Sequence, residues 1–526
     1  MPIRKLAFLL ALGMAVAACG NGSSTTTTTN GTKHGANLNV AIGIDPDTLD
    51  PAAQTTTTAS QIVDMVAERL YTMDGNGATQ PQLASDFPKT SSDGLTYTIP
   101  IRTGVKFSDG TAFNAAAAKQ GLDRLLNAET FKTQPGVLSV IDTITATDDK
   151  TLTIKLKAPF APFVAALTQT NAAILSPASL TVQGNTPAQV KWPVGTGPYV
   201  MKERVNGDHI TLTANKDYWG SQKPNYDTQN IKIVPDDPSR EALIRSGGAD
   251  VIISPPLSDL PALAQDSSLK VLKAPSDRTL QIIIDTVDTN QPLLQKPEVR
   301  QALNYAINKD EIIKNVMFGQ AVGLDAPMSK TLFGYCPVGN PYTFDPNKAK
   351  QMLQAAGASN LTVKLGSPTG RYPQDIKVAT AVASYLHDVG VTVQGPQTSD
   401  WPTYLGHVNV PPAQAAFDMH FLGWAPAYLD ASQQFEQFRP DRIPPKGLET
   451  SYYSNTTVTD LVIKAGAEVD QQKRKDEYCQ AAKQVWTDAP WIFLYNQSFP
   501  IVYSAKVTGV GAFPNEKFDT RFAAPA

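Results

Sequence analysis

One continuous apolar run stands out in the 526-residue chain, and it lies at the N-terminus. Residues 6–18, LAFLLALGMAVAA, follow the basic pair Arg4 and Lys5 and are too short to span a bilayer comfortably. A basic start and a short apolar segment are typical of a secretory signal, so we assign residues 1–18 to a signal peptide. Because no second long apolar run follows, the remainder should fold as a globular body rather than as a membrane bundle.

The end of this segment reads Val16, Ala17, Ala18, Cys19. The order resembles the lipobox of bacterial lipoproteins, in which a cysteine after small residues receives a diacylglycerol on its thiol. The resemblance implies that Cys19 is lipidated and holds the chain at a membrane, since each buried methylene contributes about 0.8 kcal/mol. A plain signal peptide with a chance cysteine is the alternative, because such short motifs also arise by accident.

The residues after Cys19 form a polar stretch. Positions 21–35 consist mostly of Thr, Ser, Gly and Asn. Such a stretch cannot bury enough apolar surface to offset the entropy that it would lose on ordering. We therefore expect residues 19–36 to be a flexible tether between the membrane and the folded body.

Length and charge narrow the possible classes of protein. A chain of this size, with 42% hydrophobic and 18% charged residues, can form two or more domains. Removing residues 1–18 takes away Arg4 and Lys5 and no acid, so that 45 basic and 48 acidic side chains become 43 and 48, a net charge of −5. A mildly acidic body without a basic stripe has no electrostatic basis for binding nucleic acid.

Two cysteines remain in the body, Cys336 and Cys479. Outside the cytoplasm their thiols can be oxidised to a disulfide. They are 143 positions apart, however, and the sequence cannot show that their α-carbons approach each other. A disulfide and two buried free thiols therefore both remain open.

Helix and strand patterns alternate through the C-terminal half. Asp345 is a suitable N-cap and Gly357 a suitable end for a helix with one apolar stripe. Residues 361–365 then alternate as a strand, 375–390 have helical spacing, and 391–394 are typical of a second strand. This order predicts a βαβ unit.

The N-terminal half has a different pattern. Residues 95–101 and 151–157 alternate as strands, and turn signals such as FSDG at 107–110 lie between them. Short strands separated by turns favour antiparallel pairing. The whole body is therefore predicted to be of the α/β class, with an antiparallel part near its N-terminus.

Catalytic and metal-binding motifs are incomplete in this sequence. The five histidines are His34, His209, His387, His407 and His420. No two of them are four residues apart, which excludes a helical zinc site of the HExxH kind. Ser267 and Lys270 form an S-x-x-K without its companion motifs, which we interpret as a solvated turn. Gly195 to Gly197 lack the spacing and the lysine of a phosphate loop, and we expect these glycines to let backbone segments pack closely. We therefore expect that the protein is not an enzyme and that it binds neither a metal ion nor a cofactor.

Aromatic and polar side chains concentrate in two places. Trp401 and Tyr404 lie in one, and Trp424, Tyr428 and Asp430 follow a predicted strand in the other. Crevices of α/β folds open at strand ends, so these side chains could line a ligand cleft. Ordinary burial in the core is the alternative, because large aromatic side chains are usually well buried.

From about residue 37 to residue 510 the chain resembles the family 5 extracellular solute-binding proteins, the peptide and nickel type that serves ABC importers. Five blocks follow the family in order, and their combination is specific where a single block would not be. These blocks are residues 80–115, 194–220, 299–322, 344–357 and 452–495.

The resemblance implies a type II periplasmic-binding fold, with two lobes joined by two crossover segments and an extra subdomain in the first lobe. The implied boundaries are 37–275 plus 496–526 for lobe 1, about 61–190 for the inserted subdomain within it, and 276–495 for lobe 2. Crossovers near 279–285 and 495–502 would absorb the rotation when the lobes close on a ligand.

The resemblance also implies a set of ligand-binding residues. Those of the second lobe are Trp401, Trp424, Tyr428 and Asp430. Those on loops of the first lobe are Thr57, Gln169 and Asn171, for which hydrogen bonds that merely hold the loops are the alternative.

One position departs from the family pattern. In peptide-binding members, the tryptophan matching Trp424 is followed three residues later by an aspartate that pairs with the peptide's amino terminus, and here that residue is Ala427. A buried ammonium without a counter-charge is costly, so this mode of peptide binding needs another acid, of which Asp430 is one candidate. The aromatic rings would also suit an oligosaccharide or another amphipathic ligand.

These features together predict a monomeric, lipid-anchored receptor that captures an oligopeptide or a similar solute and delivers it to the permease of an ABC importer. An oligosaccharide or a metal chelate is the alternative ligand within that class. A secreted hydrolase would need a nucleophile and a base that the sequence does not show. A signalling or adhesion receptor on the same fold would need a protein partner instead of a permease.

Overall fold

The structure is a computed structural model that describes residues 33–54, 56–127, 136–186, 189–339 and 342–526. The predicted signal peptide, Cys19 and most of the predicted tether lie outside these residues. Within the described ranges, no helix combines the length and the apolar character needed to cross a bilayer.

The strands, numbered in chain order, are β1 (Gly35–Ile42), β2 (Tyr71–Met73), β3 (Thr79–Pro81), β4 (Lys89–Thr90), β5 (Thr96–Pro100), β6 (Ile141–Asp148), β7 (Thr151–Leu156), β8 (Tyr199–Val205), β9 (His209–Ala214), β10 (Tyr226–Ile233), β11 (Val251–Ile253), β12 (Leu269–Ile284), β13 (Ala321–Gly323), β14 (Thr362–Pro368), β15 (Thr392–Ser399), β16 (Met419–Trp424), β17 (Trp491–Ser504), β18 (Val507–Thr508), β19 (Gly511–Phe513), β20 (Lys517–Asp519) and β21 (Ala524–Pro525).

The α-helices are α1 (Thr57–Val66), α2 (Ala115–Leu125), α3 (Phe163–Ala166), α4 (Pro177–Gln183), α5 (Asp237–Ser246), α6 (Leu260–Gln265), α7 (Pro297–Tyr305), α8 (Lys309–Glu311), α9 (Pro346–Ala355), α10 (Asp375–Asp388), α11 (Trp401–Val408), α12 (Ala431–Gln434), α13 (Thr456–Ala467) and α14 (Gln471–Asp488). Short 3-10 helices lie at Gly136–Val140, Thr170–Ala172, Pro292–Gln295, Pro412–Gln414, Phe435–Phe438 and Pro440–Arg442, and a π-helical turn lies at Ile312–Val316.

An 11-stranded mixed sheet runs through the molecule in the order β15-β14-β16-β12-β17-β11-β1-β10-β9-β8, with β13 paired to β17. The long strands β12 and β17 are antiparallel and pair from Leu269 with Ser504 to Ile283 with Trp491. Beyond β12 the sheet continues through β16, and beyond β17 it continues through β11. Two strands therefore connect the two halves of the sheet. The predicted crossover 495–502 lies in β17, and 279–285 covers the end of β12 and the residue after it.

The β12 strand is irregular between Pro275 and Thr279. Asp277 lies in this irregularity and is fully buried, and neither of its carboxylate oxygens has a hydrogen-bond partner among the described residues. Burial and the nearby Glu516 carboxylate raise the pKa of Asp277 well above its ordinary value. Its neighbour Arg278 instead forms an ion pair with Glu516, 2.7 Å from nitrogen to oxygen.

Local predictions from the sequence are confirmed at several elements. Asp345 caps α9 by accepting a hydrogen bond from the Lys348 amide at 2.8 Å. The strands β14 and β15 are parallel and joined by α10, which is the predicted βαβ unit. The strands β5 and β7 are antiparallel, as predicted, in a separate four-stranded sheet of order β4-β5-β7-β6.

Buried apolar side chains form three clusters. One surrounds β12, β14, β16 and β17 with α7, α9, α10, α13 and α14. A second packs the four-stranded sheet against α2, and a third packs β1 and β8 to β11 against α1. Each amphipathic layer is thus covered by its own helices, which is how α/β folds bury the apolar faces of a sheet.

The residues around Gly195 hold α1 in place. A Cβ at Gly195 would overlap the Val66 carbonyl oxygen, and one at Gly197 would crowd the Met65 carbonyl oxygen, so the predicted close packing of backbone segments is confirmed. The intervening Thr196 donates to the buried Glu68 carboxylate at 2.8 Å.

Glu68 is the centre of a buried hydrogen-bond network. Its carboxylate also accepts from the Tyr218 hydroxyl at 2.8 Å and from Trp219 Nε1 at 2.6 Å. Burial raises the pKa of Glu68, and these hydrogen bonds act in the opposite direction. Three residues of the block 194–220 thus converge on one carboxylate.

Cys336 and Cys479 are joined by a disulfide, with their α-carbons 5.3 Å apart. Cys479 lies in α14, and Cys336 lies in the segment that follows β13. The bond therefore fastens that segment to the helix, and it decides between the two alternatives that the sequence left open.

Candidate ligand-binding site

A cavity of about 1270 Å³ lies between the two halves of the molecule. One wall comes from the N-terminus of α1, the segment around Gln169 and the α2 region, together with Asn515 and Lys517. The facing wall is formed by the residues that follow β16, by α12 and by residues 442–448. Its volume exceeds the roughly 300–1,000 Å³ of pockets for drug-sized ligands.

Three of the predicted ligand-binding residues line the first wall. They are Thr57, Gln169 and Asn171. Asn171 accepts from Gln54 Nε2 at 3.0 Å, which ties the wall to the segment before α1. Gln169 is only 5% exposed, and its Nε2 has no acceptor among the described residues. A hydrogen-bond donor at the cavity surface is therefore available to a ligand.

Two further polar groups line the cavity, one on each wall. Trp424, at the end of β16, lines the cavity, and its Nε1 has no acceptor within the described part of the chain. Asn515, which comes from the first wall, is 7% exposed and has an Oδ1 without a donor there. The cavity thus offers two donors and one acceptor, a set that matches the carbonyl and amide groups of a peptide backbone.

Carboxylates on the cavity surface differ in their surroundings. Asp123 and Asp142 are solvent-exposed, and each lies near a lysine. Glu436 is a more buried acid, whose side chain is 21% exposed and lies 3.3 Å from Arg442. Burial raises the pKa of Glu436, and the charge of Arg442 opposes this rise. Ala427 also lines the cavity. The wall thus has an apolar side chain at position 427 and a carboxylate at Glu436.

A buried ion-pair network supports the floor of the cavity. Lys517 lines the cavity and donates to Asp64 at 2.8 Å and to Thr170 at 2.5 Å. Burial lowers the pKa of Lys517 to about 8, although the charge of Asp64 opposes the shift. Burial also raises the pKa of Asp64, but the charges of Arg69 and Lys517 outweigh it and hold this pKa below its usual range. Lys517 is therefore engaged within the protein and is not a free cation.

A second cavity, of about 630 Å³, adjoins the first at Thr57. It lies between the start of α1 and the loop before α10, and it is lined by Arg278 and Arg371. Arg278 is paired with Glu516, whereas the described residues provide no carboxylate partner for the Arg371 side chain. Burial lowers the pKa of Arg371, and the like charge of Arg278 acts in the same direction. An anionic group of a ligand would compensate this charge.

Trp401 supports this arginine instead of lining the first cavity. The Arg371 guanidinium lies 4.9 Å from the Trp401 ring centre and 5.1 Å from that of Tyr372. Trp401 itself opens α11 and stacks on Tyr404. Contact with two aromatic faces fixes the position of the cation.

Tyr428 and Asp430 do not reach either cavity. The Tyr428 side chain is fully buried in the cluster around the four-stranded sheet, and its hydroxyl lies 3.0 Å from Ser432 Oγ. Asp430 caps α12 and forms a buried ion pair with Arg474, at 2.6 Å from the guanidinium. Strand-end position alone did not separate these core residues from Trp424, because the chain turns inward after Ala427.

Sequence reasoning missed Arg371, Asn515 and Glu436. Arg371 belongs to a loop after β14 that no periodic pattern distinguishes, although its position beyond the carboxyl end of a strand is a general sign of a crevice. Asn515 comes from the β19–β20 turn near the C-terminus, which only the tertiary fold brings to the cavity.

The described residues contain no group of three or more His, Cys, Asp or Glu side chains placed to hold a metal ion. The cavities instead present hydrogen-bonding and charged groups around a space of peptide size. This arrangement can enclose a solute by non-covalent contacts.

Residues 78–443 match the family described as bacterial extracellular solute-binding proteins, family 5 Middle. The chain belongs to this family. Its relatives include the glutathione-binding protein GsiB of Pectobacterium atrosepticum, which is 31% identical over 91% of this chain and 92% of the relative. The GsiB of Escherichia coli K12 is 28% identical over 91% of this chain and 92% of the relative.

Solved structures of this family share the fold of the solute-binding protein described here. The periplasmic binding protein DppA of Helicobacter pylori in complex with the peptide STSA matches with a TM-score of 0.81 and 26% identity, over 94% of this chain and 98% of that one. The type II periplasmic-binding fold predicted from the sequence is confirmed. GsiB is a glutathione-binding protein, DppA is an ABC transporter-associated periplasmic binding protein, and the matching family consists of solute-binding proteins, so the chain is a solute-binding protein.

Proposed function

We propose that the protein captures a peptide between two lobes and delivers it to the permease of an ABC importer. The observation that carries the proposal is the pair of adjoining cavities, which are lined by two donors and one acceptor that have no partner among the described residues, and by an arginine without a carboxylate partner there. The names of GsiB and DppA, which refer to glutathione and to a bound peptide, support a peptide as the ligand. We assign lobe 1 to residues 37–275 and 496–526, with the insert near 61–190, and lobe 2 to 276–495.

Recognition would use the backbone of the peptide. Gln169 and Trp424 would donate to its carbonyl groups, and Asn515 would accept from an amide. Each neutral hydrogen bond contributes about 0.5–1.5 kcal/mol net, whereas micromolar affinity corresponds to about −8.2 kcal/mol. Apolar contact and charge must therefore supply the remainder.

Charge would orient the peptide. Arg371 shares the second cavity with Thr57 and Thr58, the first residues of α1, where the helix dipole favours negative charge. A carboxylate placed between them would gain from both. At the other end, Glu436 is the acid that would accept an ammonium in place of the aspartate that Ala427 replaces.

Anchoring and partners complete the proposal. Lipidation of Cys19 and the tether 19–36 would keep a monomeric receptor at the membrane, within reach of the permease. A Cys19→Ser variant would then be released into the medium, whereas the parent chain would stay with the membrane fraction. Equal partition of the two chains would refute the anchor while leaving solute binding untouched.

The bound solute can be identified directly. Residues 36–526, purified without denaturation from the native host, are expected to carry a peptide in native mass spectrometry. Recovery of an oligosaccharide or a metal chelate instead of a peptide would show that the alternative ligand is the bound solute. Hydrolysis of a bound peptide by the purified protein would reject a role in binding alone.

A pair of peptides tests the role of Arg371. The recovered peptide, or glutathione as a first probe, is titrated by calorimetry as the free acid and as the C-terminal amide. A charged hydrogen bond contributes about 1.5–3 kcal/mol, so Arg371→Ala should weaken binding of the acid by about 10- to 100-fold and leave the amide nearly unchanged. Lys350→Ala, which removes an exposed cation from α9, is the matched control. Equal losses for acid and amide would contradict the assignment.

A further inference from the structure

A third cavity, of about 250 Å³, lies at the two long strands that connect the lobes. Its lining includes Lys273, Pro275 and Ser276 of β12, Asn496 to Ser498 of β17, and all of β13. Met328, Lys330 and Thr331 also line the cavity. The intervening Ser329 fastens this segment, since its hydroxyl donates to the Ser276 carbonyl at 3.0 Å and contacts Asn496 Oδ1 at 2.9 Å. The cavity is therefore built from both connecting strands and from a segment fastened to each of them.

Two buried amide groups make this cavity polar on one side. Gln320 and Gln497 line it and are 4% and 8% exposed, and the side-chain oxygen of each has no donor among the described residues. The amide nitrogens are engaged elsewhere, Gln320 with the Phe318 carbonyl and Gln497 with Glu516. Two unpartnered acceptors in one small cavity favour a ligand with several donor hydrogens, such as an ammonium group.

The other sides of the cavity complete the chemistry. Leu324 and Met328 are buried and provide an apolar surface. Lys273 and Lys330 add positive charge, and Lys330 lies 3.2 Å from Asp325. The volume corresponds to about eight water-sized groups of about 30 Å³ each, which suits a molecule of the size of leucine.

We propose that this cavity between the connecting strands binds a free aliphatic amino acid. Its ammonium group donates to the amide oxygens of Gln320 and Gln497. Its carboxylate faces Lys273, since Lys330 is paired with Asp325, and its side chain packs on Leu324 and Met328. The proposal is independent of which solute the cleft between the lobes holds.

The cavity also has a physical route to the cleft. Gln497 lines both this cavity and the second cleft cavity, and its Nε2 donates to Glu516 at 2.5 Å. Glu516 in turn pairs with Arg278, which lines the second cleft cavity. An amino acid held by Gln497 therefore stabilises the arrangement of the connecting strands seen here, and its binding is thermodynamically linked to that of the cleft solute.

Calorimetric titration of residues 36–526 with L-leucine tests the site. Isopentylamine and 4-methylpentanoate, which each lack one charged group of leucine, serve as the comparison probes. We expect saturable one-to-one binding of leucine, and at least tenfold weaker binding of both analogues, because each loses one set of polar contacts.

Variants decide where leucine binds. Gln320→Met removes one amide oxygen at similar volume, and Lys273→Glu reverses a charge at an exposed position of β12. Both should weaken leucine binding at least tenfold, whereas Trp424→Ala in the cleft should leave it unchanged. The proposal is overturned if wild-type protein does not bind leucine, or if Trp424→Ala abolishes binding while Lys273→Glu preserves it.

Discussion

The ion pair between Asp430 and Arg474 provides a sharp test of the structure, because the sequence predicts a ligand-binding role for this aspartate. The Asp430 side chain is 3% exposed and the Arg474 side chain 7%. Both carboxylate oxygens lie 2.6 Å from one guanidinium nitrogen, and Oδ1 also accepts from the Ser432 amide at 2.9 Å. Both oxygens of this carboxylate thus accept hydrogen bonds from other groups of the protein.

Replacing Asp430 by Ala removes the counter-charge and leaves Arg474 buried. The remaining polar contacts of its guanidinium are the Ala465 carbonyl at 3.2 Å and the Tyr478 hydroxyl at 3.5 Å. Breaking a buried ion pair by removing one partner costs about 3–5 kcal/mol. The lost helix cap, worth about 1 kcal/mol by itself, belongs to the same network and does not simply add. We expect the free energy of unfolding to fall by about 3–5 kcal/mol.

Urea unfolding followed by circular dichroism measures this change, and calorimetry with the cleft solute measures binding. Asp460→Ala, which removes an exposed carboxylate from α13, is the matched control and should change stability by less than about 0.5 kcal/mol. The double variant Asp430→Leu with Arg474→Met should recover much of the loss, since neither charge is then left alone. Normal stability of Asp430→Ala together with lost solute binding would show that Asp430 contacts the ligand and that the ion pair is not structural.

Three further predictions concern buried groups of the first lobe and of the connecting strands. Gly195→Ala should destabilise the protein by about 1–3 kcal/mol in urea unfolding, because the added Cβ would overlap the Val66 carbonyl oxygen. The control Gly406→Ala, whose added Cβ would meet open space, should change stability by less than about 1 kcal/mol. Glu68→Gln should cost about 1–3 kcal/mol in the same assay, since an amide cannot accept the four hydrogen bonds that Gln82, Thr196, Tyr218 and Trp219 donate to the carboxylate; an unchanged midpoint would refute the role of this network. Asp277→Asn should raise the melting temperature more at about pH 8 than at about pH 5. The reason is that a carboxyl group whose pKa is raised in the folded state costs stability as the pH rises above its unfolded pKa of about 4. A gain in melting temperature that does not depend on pH would contradict the protonation of Asp277 in the folded state.

Local sequence chemistry predicts the elements that depend on neighbouring residues. The cap at Asp345, the βαβ unit of β14, α10 and β15, and the antiparallel pair β5 and β7 are all present in the structure. Each depends on hydrogen bonds or apolar periodicity within a short window, which the sequence displays directly. The glycines at 195 and 197 belong to the same group, since their lack of a side chain signals a close backbone approach.

Exposure of a side chain cannot be predicted in this way. Trp424 and Tyr428 are four residues apart and were both expected to line a cleft, yet Trp424 lines the cavity and Tyr428 is fully buried. The difference comes from the packing of the loop against the cluster around the four-stranded sheet, which is formed by residues hundreds of positions earlier. The same applies to Arg371, for which the described residues provide no carboxylate partner because of the way in which distant segments meet.

The sequence by itself determined the family, the α/β class and the caps and turns of individual elements, because these follow from residue order and from interactions over a few positions. The tertiary structure alone decided which polar groups face the cavities, that Asp430 is held by Arg474, and that Cys336 meets Cys479. The physical reason is that burial and charge compensation depend on long-range packing. A donor or a charge becomes available to a ligand only when no other part of the chain satisfies it.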